Sequence, residues 1–145
     1  MKNFSDLLAI DPVIEISMRL TPIVDNGIPT AIVTHNNLTV FESALSEPVT
    51  LHFTHLHILD PLKISVELKN KKYNADVETA IIVDSLIIDN FELVPNYTHL
   101  LEYVNDHNNT CSTNYLGFNG VWTLDTLEPF YRWKHKILGN GWLLQ

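Results

Sequence analysis

Three histidines lie within an otherwise apolar run of sequence LHFTHLHIL, from Leu51 to Leu59. Imidazole nitrogens are preferred zinc ligands, and a catalytic zinc site binds several protein ligands while leaving one position for water. In a β-strand successive side chains point to opposite faces. His55 and His57 would then share one face and His52 would point away, so His55 with His57 is the candidate zinc pair.

A zinc site on His55 and His57 needs a further ligand from elsewhere in the chain. That ligand would be a carboxylate or one of the remaining histidines, which are His35, His99, His107 and His135. No H-E-x-x-H motif accompanies the pair. We therefore favour imidazoles that lie on a partly exposed strand face or bond to neighbouring loops, and keep a metal-dependent enzyme built on the pair as the alternative.

The stretch between residues 70 and 90 is rich in oxygen ligands. Calcium binds roughly six to eight oxygens from carboxylates, amides and backbone carbonyls. Asn and Asp are also frequent in turns for conformational reasons alone, so a plain polar turn is the simpler interpretation of this composition. The oxygen-bearing residues of the stretch are Asn70, Asn74, Asp76, Glu78, Asp84, Asp89 and Asn90.

Aromatic residues are concentrated near the end of the chain, where all three tryptophans follow residue 120. Sugar rings stack on exposed aromatic faces, and aromatic residues are also common in subunit contacts. Trp122, Tyr131 and Trp142 are therefore the candidate ligand-binding residues. Trp142 lies in the glycine-flanked tail GNGWLLQ, where burial in the core and exposure or docking on another chain are equally open.

The elements that position these residues are predicted to be β-strands. Apolar and polar residues alternate from Val13 to Leu20 and again in LKISVELK, as in half-buried strands. Turn residues separate about six or seven such strands, with a further junction predicted near Asp89 and Asn90. Because no helices interrupt this series, it predicts a mainly β fold, an antiparallel β-sandwich of jelly-roll type. The inward face of LKISVELK would consist of Leu62, Ile64, Val66 and Leu68.

A short C-terminal helix is predicted within TLEPFYRWKHKILGNG. Thr126 would cap it, and Gly139 would end it. Phe130, Trp133 and Ile137 would form one apolar face packed against the sandwich. The segment WTLDTLEPFYRW could also continue as extended chain, and this alternative stays open.

Length and charge limit the classes of function. A chain of 145 residues is expected to form one domain, residues 1–145. The net charge of −8 with only nine Lys and Arg argues against nucleic acid as a partner. No stretch approaches the roughly 18 apolar residues of a membrane span, and the N-terminus does not resemble a signal peptide. The single cysteine, Cys111, excludes an intrachain disulfide. We expect a soluble protein.

The segment ISVELKNKKYNADVETAIIVDSLIID resembles part of a known family. It is similar to the strand, polar loop and V-D-x-x-x-I strand of calcium-dependent xylan-binding modules, jelly-roll proteins that hold sugar hydroxyls through a bound ion. The resemblance implies a carbohydrate partner and calcium as cofactor, with ion ligands among Asn74, Asp76 and Asp84.

A second resemblance concerns the C-terminal segment LGFNGVWTLDTLEPFYRWKHKILGNGWLL. It is similar to C-terminal segments of uncharacterised small proteins from tailed phages, particularly T4-like phages of marine cyanobacteria. This resemblance implies a virion-associated or accessory protein, located in the virion or in the host cytoplasm.

Taken together, these features predict a non-catalytic binding or assembly module. The C-terminal resemblance implies that it belongs to a phage particle. It would recognise carbohydrate or another protein subunit, and it could form a homo-oligomer. The alternative remains the metal-dependent enzyme that uses His55 and His57.

Overall fold

The computed structural model describes residues 13–25, 27–71 and 78–139. This part of the chain forms strands, one 3₁₀ turn (Thr98–Leu100) and one α-helix. The strands are β1 (Ile14–Val24), β2 (Thr30–His35), β3 (Leu38–Ala44), β4 (Val49–His55), β5 (Pro61–Lys69), β6 (Thr79–Ile88), β7 (Phe91–Val94), β8 (Glu102–Asn105), β9 (Thr110–Cys111), β10 (Tyr115–Leu116) and β11 (Gly120–Pro129); the α-helix is α1 (Phe130–Leu138).

The described strands form two antiparallel sheets. In the first sheet the order is β10-β6-β1-β4, and β7 also pairs with β6. In the second sheet the order is β3-β2-β5-β11-β8-β9. The predicted antiparallel β-sandwich of jelly-roll type with a short C-terminal helix is confirmed. Within the described ranges, no helix has the length and apolar character needed to cross a membrane.

The core lies between the two sheets and follows the alternation of side chains along the strands. From β1, Ile14, Ile16, Met18 and Leu20 point inward and are 0–2% exposed. The predicted inward face of β5 is confirmed, because its four aliphatic side chains have no exposed surface. Burial of these apolar surfaces is the main force that joins the sheets.

Trp122 belongs to this core, and its prediction as an exposed ligand platform is wrong. It lies between Val121 and Thr123 on β11 and points inward, with no exposed surface. Its indole nitrogen donates a hydrogen bond to the Thr113 carbonyl oxygen at 2.7 Å, so its polar atom is satisfied inside the fold. A buried ring offers no face to a sugar.

The predicted start of the helix is also wrong. The extended chain continues to Pro129 because β11 pairs with β5 again at Pro129 and Pro61, after an irregularity in the pairing that follows Asp125. Thr126 is buried and does not cap the helix: its hydroxyl accepts a hydrogen bond from the Leu62 amide at 2.9 Å and donates to the Glu128 carbonyl at 2.7 Å.

The rest of the helix prediction is confirmed. Gly139 ends α1 in the left-handed conformation, with φ of 67°. Phe130 is fully buried, and Trp133 with Ile137 packs against the core as predicted.

The position of Trp122 gives a test of the packing. Trp122→Ala should lower the free energy of unfolding by about 3–5 kcal/mol, because it removes a large side chain from a closed core. Val121→Ala is the matched control: it changes the neighbouring residue, which faces outward and is 37% exposed, and should cost less than about 0.5 kcal/mol. Urea denaturation measures both, and equal losses would contradict the assignment of the two faces of β11.

Candidate functional site

A groove of about 300 Å³ opens on the outer face of the first sheet. It lies where β4, β1 and the β6–β7 hairpin meet, and its volume is at the lower end of the range of small-ligand sites, about 300–1,000 Å³. We call it the outer groove. Its lining residues are Glu15, Ile16, Ser17, His52, Phe53, Thr54, Ile87, Asp89 and Asn90.

The pairing of β1 with β4 places polar side chains in this groove. Glu15 lies opposite Thr54, and Ser17 lies opposite His52. Ser17 also pairs with Ile87 on β6, so an apolar side chain lies beside the polar ones. Because the intervening residues of β1 point into the core, the same alternation that builds the interior projects these side chains outward.

The turn between β6 and β7 forms one wall of the outer groove. Asp89 and Asn90 have φ values of 50° and 62°, which two-residue hairpin turns of type I′ require and Asn and Asp tolerate. The Asp89 amide donates a hydrogen bond to the Glu15 carbonyl oxygen at 2.9 Å, which holds the turn against β1. The predicted strand junction at these two residues is confirmed.

Tyr131 of α1 lies at the border of the groove. Its hydroxyl donates a hydrogen bond to Oδ2 of Asp89 at 2.5 Å. This bond, followed by burial and by the charge of Asp89, raises the pKa of Tyr131 to about 12, so the phenol stays neutral. Tyr131 is 38% exposed. Its role in ligand binding stays a prediction, and the structure adds that it contacts a residue of the groove wall.

The chemical groups of the outer groove suit a ligand rich in hydroxyl groups. The carboxylates of Glu15 and Asp89 accept hydrogen bonds, and the hydroxyls of Ser17 and Thr54 both donate and accept them. The Asn90 amide and the His52 imidazole add further donors and acceptors.

The predicted orientation of His52 is confirmed, but the predicted pairing of His55 with His57 is wrong. β4 ends at His55, so His57 lies beyond the strand and is exposed in the turn before β5. His55 is only 2% exposed. A shared face requires the strand to continue, and the turn closed by the Asp60 amide and the His57 carbonyl at 2.9 Å prevents this.

His55 pairs instead with His35 of β2. Nε2 of His35 lies 2.8 Å from Nδ1 of His55, and Nε2 of His55 lies 3.2 Å from the Asp60 carbonyl oxygen. Because a carbonyl only accepts, His55 donates through Nε2 and accepts through Nδ1 from His35. The histidine pair therefore connects the two sheets, and neither nitrogen of His55 is available to a metal unless one of these bonds breaks. The sequence alone does not distinguish His35 from the other histidines that could accompany His55.

The Asp84 carboxylate has two side-chain partners within the first sheet, and its role as a calcium ligand stays a prediction. Asp84 is the extra residue of a β-bulge, where the pairing shifts between Arg19 and Leu20. Its carboxylate accepts a hydrogen bond from Thr21 and lies 3.8 Å from Nε of Arg19.

The other predicted ligands Asn74 and Asp76, and also Trp142, lie outside the described residues. Within the described ranges, no group of three or more His, Cys, Asp or Glu side chains is placed to hold a metal ion. Calcium binding therefore stays a prediction from the family resemblance.

Comparisons with known proteins identify a likeness in structure but not in sequence. No protein-family model and no functionally characterised protein matches the sequence. The solved structure of vCBM60 in complex with galactobiose matches with a TM-score of 0.52 and 16% identity, over 77% of this chain and 97% of that chain. The likeness is one of fold.

A second solved structure gives the same result. It is a selenomethionine form of vCBM60, described as linking by circular permutation two families of calcium-dependent carbohydrate-binding modules. The TM-score is 0.53 and the identity is 14%, over 77% of this chain and 90% of that chain.

The histidine pair predicts a pH-dependent stability. Burial, and secondly the nearby His55, lower the pKa of His35 below 6.5. The unfolded chain therefore binds more protons than the folded chain, so stability should fall as the pH is lowered through 6.5 toward the pKa of the folded state. Urea denaturation at a series of pH values between neutral and mildly acidic measures this slope.

His35→Gln removes the titrating group but keeps a donor for Nδ1 of His55, so it should flatten the slope. His52→Gln changes an exposed imidazole on the opposite face of β4 and should leave the slope as it is. A slope that persists unchanged in His35→Gln would show that the pair does not cause it.

Proposed function

We propose that the chain is a non-catalytic carbohydrate-binding module whose ligand lies in the outer groove. The observation that carries this proposal is the concentration of hydrogen-bonding side chains on one side of the first sheet. Carboxylates, hydroxyls, an amide and an imidazole line the groove together with the apolar side chain of Ile87. Such a mixture matches a sugar ring, which has hydroxyl groups around its edge and C–H groups on its faces.

The fold supports the same proposal. One of the two solved structures that share it contains galactobiose. A fold of itself does not determine a ligand, so the likeness adds weight to the chemistry of the groove and does not replace it.

Strand pairing and a backbone hydrogen bond hold the backbone of the groove in place before a ligand binds. Glu15, Ser17 and His52 project from paired strands, and the Asp89 amide is bonded to β1. A site built on a rigid scaffold loses little conformational entropy when it binds.

Hydrogen bonds from sugar hydroxyls to the carboxylates of Glu15 and Asp89 are charge-assisted and therefore stronger than neutral ones. The two carboxylates also favour an uncharged sugar unit at this position.

Two finer predictions attach to this proposal. Calcium dependence rests on the family resemblance, which names Asn74, Asp76 and Asp84 as ligands. A place on a phage particle, or contact with another protein subunit, rests on the similarity of the C-terminal segment. We do not extend the proposal to a metal-dependent enzyme, because both ring nitrogens of His55 have hydrogen-bond partners.

The proposal predicts which side chains control affinity. After a screen of neutral oligosaccharides that includes galactobiose, titration calorimetry should show that Glu15→Gln and His52→Ala weaken binding by about 2- to 10-fold. This range corresponds to the loss of the charge of one acceptor or of one neutral hydrogen bond, about 0.5–1.5 kcal/mol. Glu67→Gln is the matched control, because Glu67 lies on β5 of the second sheet. It should bind like the unchanged protein.

Three results of this experiment would count against parts of the proposal. Absence of binding to every neutral oligosaccharide would contradict a carbohydrate-binding function. Equal affinities for Glu15→Gln, His52→Ala and the unchanged protein would place the ligand elsewhere. Unchanged affinity after treatment with EDTA would remove calcium from the account and leave the outer groove as the binding site.

A further inference from the structure

A second cavity lies on α1 beside the outer groove. It has a volume of about 210 Å³ and is lined by Tyr131, Lys134, His135 and Leu138. The hydrogen bond from Tyr131 to Asp89 connects a residue of this helix cavity to a residue of the outer groove. One lining residue of each cavity is therefore joined to the other by a hydrogen bond, so the two cavities are neighbours on the surface.

The two cavities differ in charge. The outer groove has the carboxylates of Glu15 and Asp89, whereas α1 contains no Asp or Glu. Three of the nine Lys and Arg residues of this acidic chain, Arg132, Lys134 and Lys136, lie in the nine-residue helix. The helix is thus a local concentration of positive charge next to a negatively charged groove.

Lys134 is the cation of the helix cavity. Its Nζ lies 4.9 Å from the centroid of the Phe91 ring, a distance at which the ring attracts and positions an ammonium group. Lys136, by contrast, pairs with Glu128 at 3.0 Å. In the described part of the chain no ion pair with a carboxylate is formed by Lys134, so its charge is available to an anionic ligand.

Resting on the proposed function, we infer that the helix cavity is a second sugar subsite that takes a unit with an anionic substituent. The ligand is then an oligosaccharide with a neutral unit in the outer groove and an acidic unit, bearing a carboxylate or a sulfate ester, against Lys134. Tyr131 separates the two subsites. Its ring, together with Leu138, offers apolar surface to the sugar, and its neutral phenol does not repel the anion.

The test compares three oligosaccharides of the same length and linkage that bind the outer groove: one neutral, one with a terminal uronate and one with a terminal sulfate. Calorimetry at low salt should give affinities about two- to fivefold higher for the acidic ligands, which is the effect of one partly exposed ion pair. The preference should decrease at high salt. A preference for only one of the two acidic ligands would identify the substituent and support the inference.

The matched variants are Lys134→Gln and Lys63→Gln. Lys134→Gln should abolish the ratio of acidic to neutral affinity, whereas Lys63→Gln, which changes an exposed lysine on β5 of the second sheet, should keep it. If neutral ligands bind but no acidic preference exists, or if the preference survives in Lys134→Gln, the inference is wrong and the proposed function stands. If no ligand binds the outer groove, the proposed function itself fails.

Discussion

The burial of one face of β1 is the constraint on which the rest of the structure depends. β1 is paired on both sides, with β4 and with β6, and its inward residues Ile14, Ile16, Met18 and Leu20 are almost completely buried. A slip of one residue would move Glu15 and Ser17 into the core, at a large desolvation cost. The outward direction of these two side chains, and hence the outer groove, is therefore fixed by the packing of the interior.

The two faces of β4 contact different parts of the structure. His52 points outward and lines the groove, whereas His55 points inward and connects the first sheet to His35 of the second. The hydrogen bond between the buried His55 and the half-buried His35 contributes to stability only while one of the two rings remains an acceptor. In this account the inner histidine maintains the sandwich, and the outer histidine belongs to the surface that binds.

Much of the fold could be predicted from the sequence, because alternation and turn residues are local signals. They gave the inward face of β5 and the turn at Asp89 and Asn90. Features that depend on the partner strand could not be predicted in this way. The end of β4 at His55 and the extension of β11 to Pro129 are set by tertiary pairing. The groove itself combines three distant segments, and the Tyr131–Asp89 bond joins residues 42 positions apart.

A sugar bound in the outer groove would contact the outer face of the first sheet between β1, β4 and the β6–β7 turn. Titration of the ¹⁵N-labelled protein with a neutral disaccharide, followed by ¹H–¹⁵N NMR, locates the bound ligand. We expect the largest chemical-shift changes at the backbone amides of Ser17, His52 and Asn90. Shifts concentrated on the second sheet, at Ser65 and Thr123, with those three amides unaffected, would contradict binding in the outer groove.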